Sequence, residues 1–179
     1  MSIRYLRCCC LILLLLGGRA AAAATVGLHP PERSFSRGES VTFELVVSDL
    51  DRVLAAFDIS LGYDPAFLGA IAIDFGLLLG DPVAFEAVIN EDLTAPGQVI
   101  LAETSVLDGA ALALLQEPAG RTWRLATINF TALADGTTAP WLSYIALSDA
   151  DALPIEVPVP GPWALLAVGA LWAGSRRPR

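Results

Sequence analysis

The sequence predicts an all-β fold, an antiparallel β-sandwich of the jelly-roll type. Three observations carry that reading. Apolar residues alternate with polar ones in several separate segments, Gly, Pro and Asp punctuate the gaps between them, and only one stretch has helical spacing. Alternation with period two puts one set of side chains on each side of a sheet, so each segment reads as a half-buried strand. Short strands at regular spacing, without interleaved helices, favour a sandwich over a parallel α/β sheet.

The strands follow in order. In VTFELVVSDL, Val41, Phe43, Leu45 and Val47 share one phase, and Thr42 and Glu44 the other. In AAFDISLGYD, Phe57, Ile59, Leu61 and Tyr63 are set against Asp58, Ser60, Gly62 and Asp64. GAIAIDFG repeats the pattern with Ile71, Ile73 and Phe75 expected on one face. In RTWRLATINFTAL, Trp123 and Leu125 begin in one phase while Ile128 and Phe130 continue in the other. A one-residue slip within a long strand predicts a β-bulge. APWLSYIALSD reads as a further strand, with Trp141, Leu142, Tyr144, Ile145 and Leu147 expected to be buried on one side or both. Turns are expected at Arg37-Gly38, Asp64-Pro65, Asp81-Pro82, Pro96-Gly97 and Asp135-Gly136. LDGAALALLQEPAG is the one helical segment, with Leu107, Ala110, Leu114 and Leu115 spaced for a short helix and Pro118 and Gly120 ending it.

These segments resemble the successive signatures of cohesin-like domains. The most specific is the strand closing on Tyr63-Asp64-Pro65 and followed by Phe67-Leu68. The next is Leu125 through Phe130, with Asp135-Gly136 after it. The resemblance covers about residues 26–153 and implies a nine-stranded jelly roll related in shape to carbohydrate-binding modules. It also implies a binding function without catalysis. In cellulosomal cohesins a sheet face takes a dockerin, and nothing in this sequence identifies such a partner.

The two ends read differently from the middle. Arg4 and Arg7, an apolar run from Cys8 to Leu16 and the alanines 20–24 have the order of a secretory signal peptide, with cleavage expected near Ala22 to Ala24. The run is too short to span a bilayer, which takes about 20 apolar residues. A lipoprotein signal is excluded, because Cys8, Cys9 and Cys10 stand at the start of the apolar run instead of after it. At the other end, a proline-rich spacer leads into Trp163, an apolar run to Gly174, and Arg176, Arg177 and Arg179. This tail is similar to the PEP-CTERM sorting signals of Gram-negative bacteria, which exosortases process. Its motif is Val157-Pro158-Val159-Pro160, with Val159 where the usual form carries an acid. Residues 162–174 would make a helix of about 20 Å, short against an apolar core of about 30 Å. The expectation is therefore transient insertion in the membrane, removal of the tail, and retention at the cell envelope or release into extracellular polysaccharide. The alternative is a permanent membrane anchor. The expected organisation is a signal over 1–24, a sandwich over 25–153, and a spacer, sorting helix and arginine tail over 154–179.

Charge and residue types narrow the chemistry. All 19 acidic residues lie between Glu32 and Glu156, against Arg33, Arg37, Arg52, Arg121 and Arg124, a formal −14 for the body. Such a body repels phosphate backbones, which excludes nucleic acid as a partner. Zinc lacks ligands, since the three cysteines lie in the signal and His29 is the single histidine. The same shortage leaves no Ser or Cys with a histidine base beyond His29. Two D-x-D pairs, Asp49 with Asp51 and Asp149 with Asp151, are the candidate calcium ligands, because hard cations take several oxygens. A carboxylate-based glycoside hydrolase would need two convergent acids from sets such as Asp58, Asp64 and Asp74. Their places on strand ends and solvent faces argue for plain solvation. The expected partners are a surface polysaccharide or a matrix protein, with Trp123 and Trp141 as the residues that could stack on sugar if exposed. Both are expected in the core.

Overall fold

In the computed structural model of the protein, residues 23–158 are described. The signal run, half of the sorting motif (Val159 and Pro160) and Arg176, Arg177 and Arg179 fall outside them. Ten strands run in order: β1 (Thr25–His29), β2 (Arg33–Phe35), β3 (Ser40–Ser48), β4 (Leu54–Gly62), β5 (Leu68–Phe75), β6 (Ala87–Asp92), β7 (Gln98–Ser105), β8 (Trp123–Ala132), β9 (Gly136–Thr138) and β10 (Trp141–Asp149). Among the described residues one α-helix, α1 (Gly109–Gln116), lies between β7 and β8. Two four-stranded antiparallel sheets form, ordered β1-β3-β8-β5 and β10-β4-β7-β6, and β2 pairs with β9 in a small ribbon. This is the antiparallel sandwich that the period-two segments predict.

The inner faces are those the alternation assigns. Val41, Phe43, Leu45 and Val47 of β3 are fully buried, as are Ile59 and Leu61 of β4, with Phe57 and Tyr63 nearly so. The sheets meet through aromatic pairs. Tyr63 meets Phe130 edge-on at 5.2 Å between centroids, and Phe57 of β4 stacks on Phe75 of β5 at 6.3 Å. Each such buried side chain contributes about 1.5–3 kcal/mol of burial energy, which matters in a body with no disulfide to assist it.

The phase slip in β8 is a bulge. β3 pairs Leu45 with Ala126 and then Val46 with Arg124, so Leu125 is the extra residue. Trp123, Leu125, Ala126, Ile128 and Phe130 are all buried as a result. A second bulge corrects the reading of β5. Register skips from Ala70 to Ala72, which turns Ile71 out to solvent while Ile73 and Phe75 pack on the core.

The helix is shorter than the helical spacing suggests, and not all of the apolar residues so spaced turn inward. Asp108 caps it by accepting from the Ala111 N–H at 2.8 Å, so Leu107 stays outside. Leu112 and Gln116 point inward and Leu114 is exposed. The Gln116 amide decides this rotation. It accepts from the Leu54 N–H at 3.0 Å and donates to the carbonyls of Leu54 at 2.7 Å and Leu78 at 3.1 Å. A buried amide must find such partners or lose its solvation unpaid.

Packing continues beyond residue 153. Ile155 is buried, its N–H donates to the Leu147 carbonyl at 3.0 Å, and Val157 packs on the core. Ala24 is buried too, and with Ala23 it shares a small cleft with Pro154 and Ile155. Both ends of the described chain therefore meet at one end of the sandwich.

Candidate functional site: the outer face of the β10-β4-β7-β6 sheet

Trp141 and Tyr144 stand three residues apart, a spacing that a regular strand places on opposite faces. A bulge at Ser143 changes that. β10 pairs Leu142 with Leu61 and then Tyr144 with Ser60, and the Ser143 hydroxyl donates to the Ser60 carbonyl at 3.0 Å. Both aromatics thus fall on the outer face, 55% and 52% exposed, while Leu142, Ile145 and Leu147 face the core. This corrects the expected burial of Trp141 and Tyr144. Trp123, by contrast, is in the core as expected.

The rest of that face is low. Ser60 lies beside Tyr144, Asp58 pairs with Ala146 and Ala102, and Ala56 with Ser148 and Thr104. Ala56, Asp58, Ala102, Thr104, Ala146 and Ser148 line a shallow trough of about 280 Å³. Gly62 supports the aromatic end, because a Cβ there would fall inside the Trp141 indole. We expect Gly62→Val to lift the indole off the sheet, seen as a shift in Trp141 fluorescence, with the sandwich still folded. An unchanged spectrum would mean the ring does not rest on Gly62. The sheet carries no Lys or Arg, since none occurs between Arg52 and Arg121 or on β10. The surface is acidic and shallow, small-sided over the trough, with Ile100 beside Ser60 and two aromatic projections at one corner.

The outer face of the other sheet is mostly polar, Ile71 apart. Thr42 donates to Asn129 at 3.0 Å, Asn129 donates to Asp74 at 2.7 Å, and Arg124 lies 3.5 Å from Glu44. His29 sits exposed opposite Glu44 in the β1–β3 register. Asp58 and Asp74 therefore occupy opposite outer faces, with the sheets and their core of about 10 Å between them. Asp64 is spent on a turn, accepting from the Ala66 N–H at 2.9 Å. The structure does not bring these three acids together.

The two D-x-D pairs do come to one end of the sandwich. Arg52, next to Asp51, reaches Asp149 at 2.9 Å. Asp149 also accepts from the N–H groups of Leu153 and Asp151 at 2.9 and 3.0 Å. The Leu153 N–H, with help from Arg52 and the Asp151 N–H, holds its carboxyl below the usual range. Asp49 adopts a left-handed backbone, and its carbonyl and that of Leu50 accept from Arg121. A calcium ion at Asp149 would have to displace Arg52. Among the described residues no three His, Cys, Asp or Glu side chains gather as a metal-holding group.

The β6–β7 hairpin, with Glu103 in it, is not among the strands expected from the sequence. This residue shares the inward phase of Val99 and Leu101, pairs with Phe57 and Ile89, and is 0% exposed. Neither carboxyl oxygen has a hydrogen-bond partner. Burial pushes its pKa up to about 7. The alternation of QVILAETS carries the signal, since an acid in phase with Val99 and Leu101 must enter the core.

Comparison with solved structures decides the architecture. A type I cohesin–dockerin complex from Clostridium thermocellum matches with TM-score 0.59 and 11% identity, over 75% of this chain and 92% of that one. A type II cohesin domain from the cellulosome of Acetivibrio cellulolyticus matches with TM-score 0.57 and 17% identity, over 76% and 92%. The fold is that of the cohesin domains. A non-cellulosomal cohesin from the archaeon Archaeoglobus fulgidus shares it as well, with TM-score 0.52 and 13% identity over 76% of this chain and 85% of that one. No family model and no curated protein matches the sequence. At these identities the cohesin likeness is one of fold.

Proposed function

We propose that the protein is an exported, non-catalytic binding module that docks a partner on the outer face of the β10-β4-β7-β6 sheet. The observation that carries this reading is the outward placement of Trp141 and Tyr144 beside a shallow trough of small residues. Exposed aromatics of this kind are the usual anchors of an interface. The structures it resembles include a cohesin–dockerin complex from Clostridium thermocellum, which supports a protein as the occupant, here a matrix protein. A surface polysaccharide is the second reading, favoured by the half-exposed Trp141 indole, since sugars stack on such rings. Purified protein should bind its partner at least ~10-fold more weakly as the Trp141→Ala, Tyr144→Ala double variant, as hot-spot anchors do. A glycan array and a panel of exported matrix proteins separate the two readings. Equal binding by variant and parent sinks both.

Export and sorting belong to the same proposal. The signal directs secretion, the arginine tail stalls the chain in the membrane, and an exosortase-like enzyme cuts the spacer. The protein then stays at the envelope or passes into the extracellular matrix. Burial of Ala24 and Ile155 and the packing of Val157 narrow both cuts, because each must leave the folded ends intact. The first cut is therefore expected before Ala24, and the second between Val157 and Pro162. Intact mass of the native protein tests this: a C-terminus at Arg179 defeats the sorting route and leaves a permanent anchor.

A further inference from the structure

Phe85 is the most exposed large apolar residue described, at 87%, with Val83 beside it at 86%. Neither is slack chain. Residues Pro82–Ala84 form a 3-10 turn capped by Asp81, whose side chain accepts from the Val83 N–H at 2.8 Å. The Asp81 N–H donates to the Glu86 carboxylate and the Glu86 N–H to the Asp81 carbonyl, both at 3.0 Å. The Glu86 carbonyl in turn accepts from the Val106 N–H at 2.9 Å, which fastens the turn to the end of β7. At Phe85 the backbone takes φ +62°, a left-handed conformation that a bulky residue adopts only under strain. Strain held in place by a closed hydrogen-bond frame is a mark of a functional position. Val88 and Val106, both exposed, extend the apolar surface at the foot of the turn.

The turn and the chain on either side of it carry charge of one sign. Ten acidic residues and no Lys or Arg lie between Arg52 and Arg121, and Asp81 and Glu86 belong to the turn itself. Two copies of such a surface repel each other, and an anionic lipid surface is repelled likewise. We propose that the 81–86 turn is a docking knob whose Val83 and Phe85 enter an apolar socket, rimmed by Lys or Arg, on a partner protein. The knob does not depend on the Trp141 site. Val88 pairs in register with Thr104 and Ala56, whereas Trp141 pairs with Gly62 and Gln98, so the two stand at diagonally opposite corners of the sheet.

The test uses the exported chain and an amphipathic helical peptide of leucine and lysine as a model of that socket's chemistry. A leucine–glutamate peptide of the same pattern is the control. The lysine peptide should shift the amide resonances of residues 83–88 and 106, and weaken as salt is raised from about 0.05 to 0.3 M. Phe85→Gly should weaken it at least ~10-fold, while its Tm stays at or above the parent's, because glycine takes φ +62° without strain. Trp141→Ala should leave this binding unchanged, which separates a failure here from a failure of the sheet-face reading. Equal binding by Phe85→Gly and the parent overturns the proposal. So does equal binding of the glutamate peptide, or no binding of the lysine peptide up to about 1 mM, a very weak affinity. Self-association, or binding to phosphatidylcholine–phosphatidylglycerol vesicles, that Phe85→Gly abolishes would assign the knob to a second copy or to lipid and overturn it as well.

Discussion

Replacing Glu103 with leucine should stabilise the protein, and the gain should widen by about 3 kcal/mol between pH 4 and pH 8. The folded-state pKa is about 7, raised by burial from the ordinary 4.5. A carboxyl whose folded pKa is raised binds its proton more tightly in the native state. Its ionisation therefore costs nothing below pH 4.5, and stability falls as pH rises through 7. The shift of about 2.5 units converts to about 3 kcal/mol at 1.36 kcal/mol per unit. Leucine, in phase with Val99 and Leu101, titrates nothing, so the difference between variant and parent isolates this one group. The other carboxylates cancel. Glu103→Gln should reproduce the pH-dependent part while keeping unpaired polar atoms in the core. Urea denaturation of the three proteins at pH 4, 6 and 8 checks the expectation, and a gap that does not change with pH would show that the carboxyl has found a partner.

Ile59→Asp should destabilise the sandwich by roughly 4 kcal/mol or more at pH 7, because it puts an unpaired charge at a fully buried position. Ile59 pairs with Leu101 on one side and Ile145 on the other, so no polar group stands in register to receive it. Its neighbour Asp58 lies on the outer face beside Ala102 and Ala146, and Asp58→Asn should cost no more than about 0.5 kcal/mol. The new acid can escape part of its cost by taking up a proton, as Glu103 does. The loss should therefore shrink at pH 4. Equal loss from the two variants would mean that the faces of β4 are reversed.

The candidate binding surface was less legible in the sequence than the core. Only Val46 breaks the alternation of β3, and Val41 to Val47 and Phe57 to Tyr63 bury the sets the period assigns, while Leu54 at the start of β4 is buried out of that phase. The bulge in β8 was visible because apolar residues stand on both sides of the slip. The bulge in β10 was not, since Trp141, Leu142, Tyr144 and Ile145 are apolar in both phases and no pattern says which pair turns outward. β6 gave no signal at all: it is an edge strand, exposed along all but its first residue, so its residues need not alternate.

Two levels of information can be separated on these residues. Local pattern along the chain set the sandwich class, the inner faces of the long strands, the acidity of the body and the expectation of export. Each depends on local period, composition or the order of segments along the chain. Tertiary structure alone decided the rest. Ser143 bulges toward Ser60 and turns Trp141 and Tyr144 outward. Gln116 bonds to Leu54 and Leu78, which sets the face of the helix. Phe85 is held out of the core by the frame from Asp81 to Val106. The physical reason is common to all three. Which way an apolar side chain points at a bulge, helix or turn depends on hydrogen bonds to residues remote in the chain or on a frame that local periodicity does not encode.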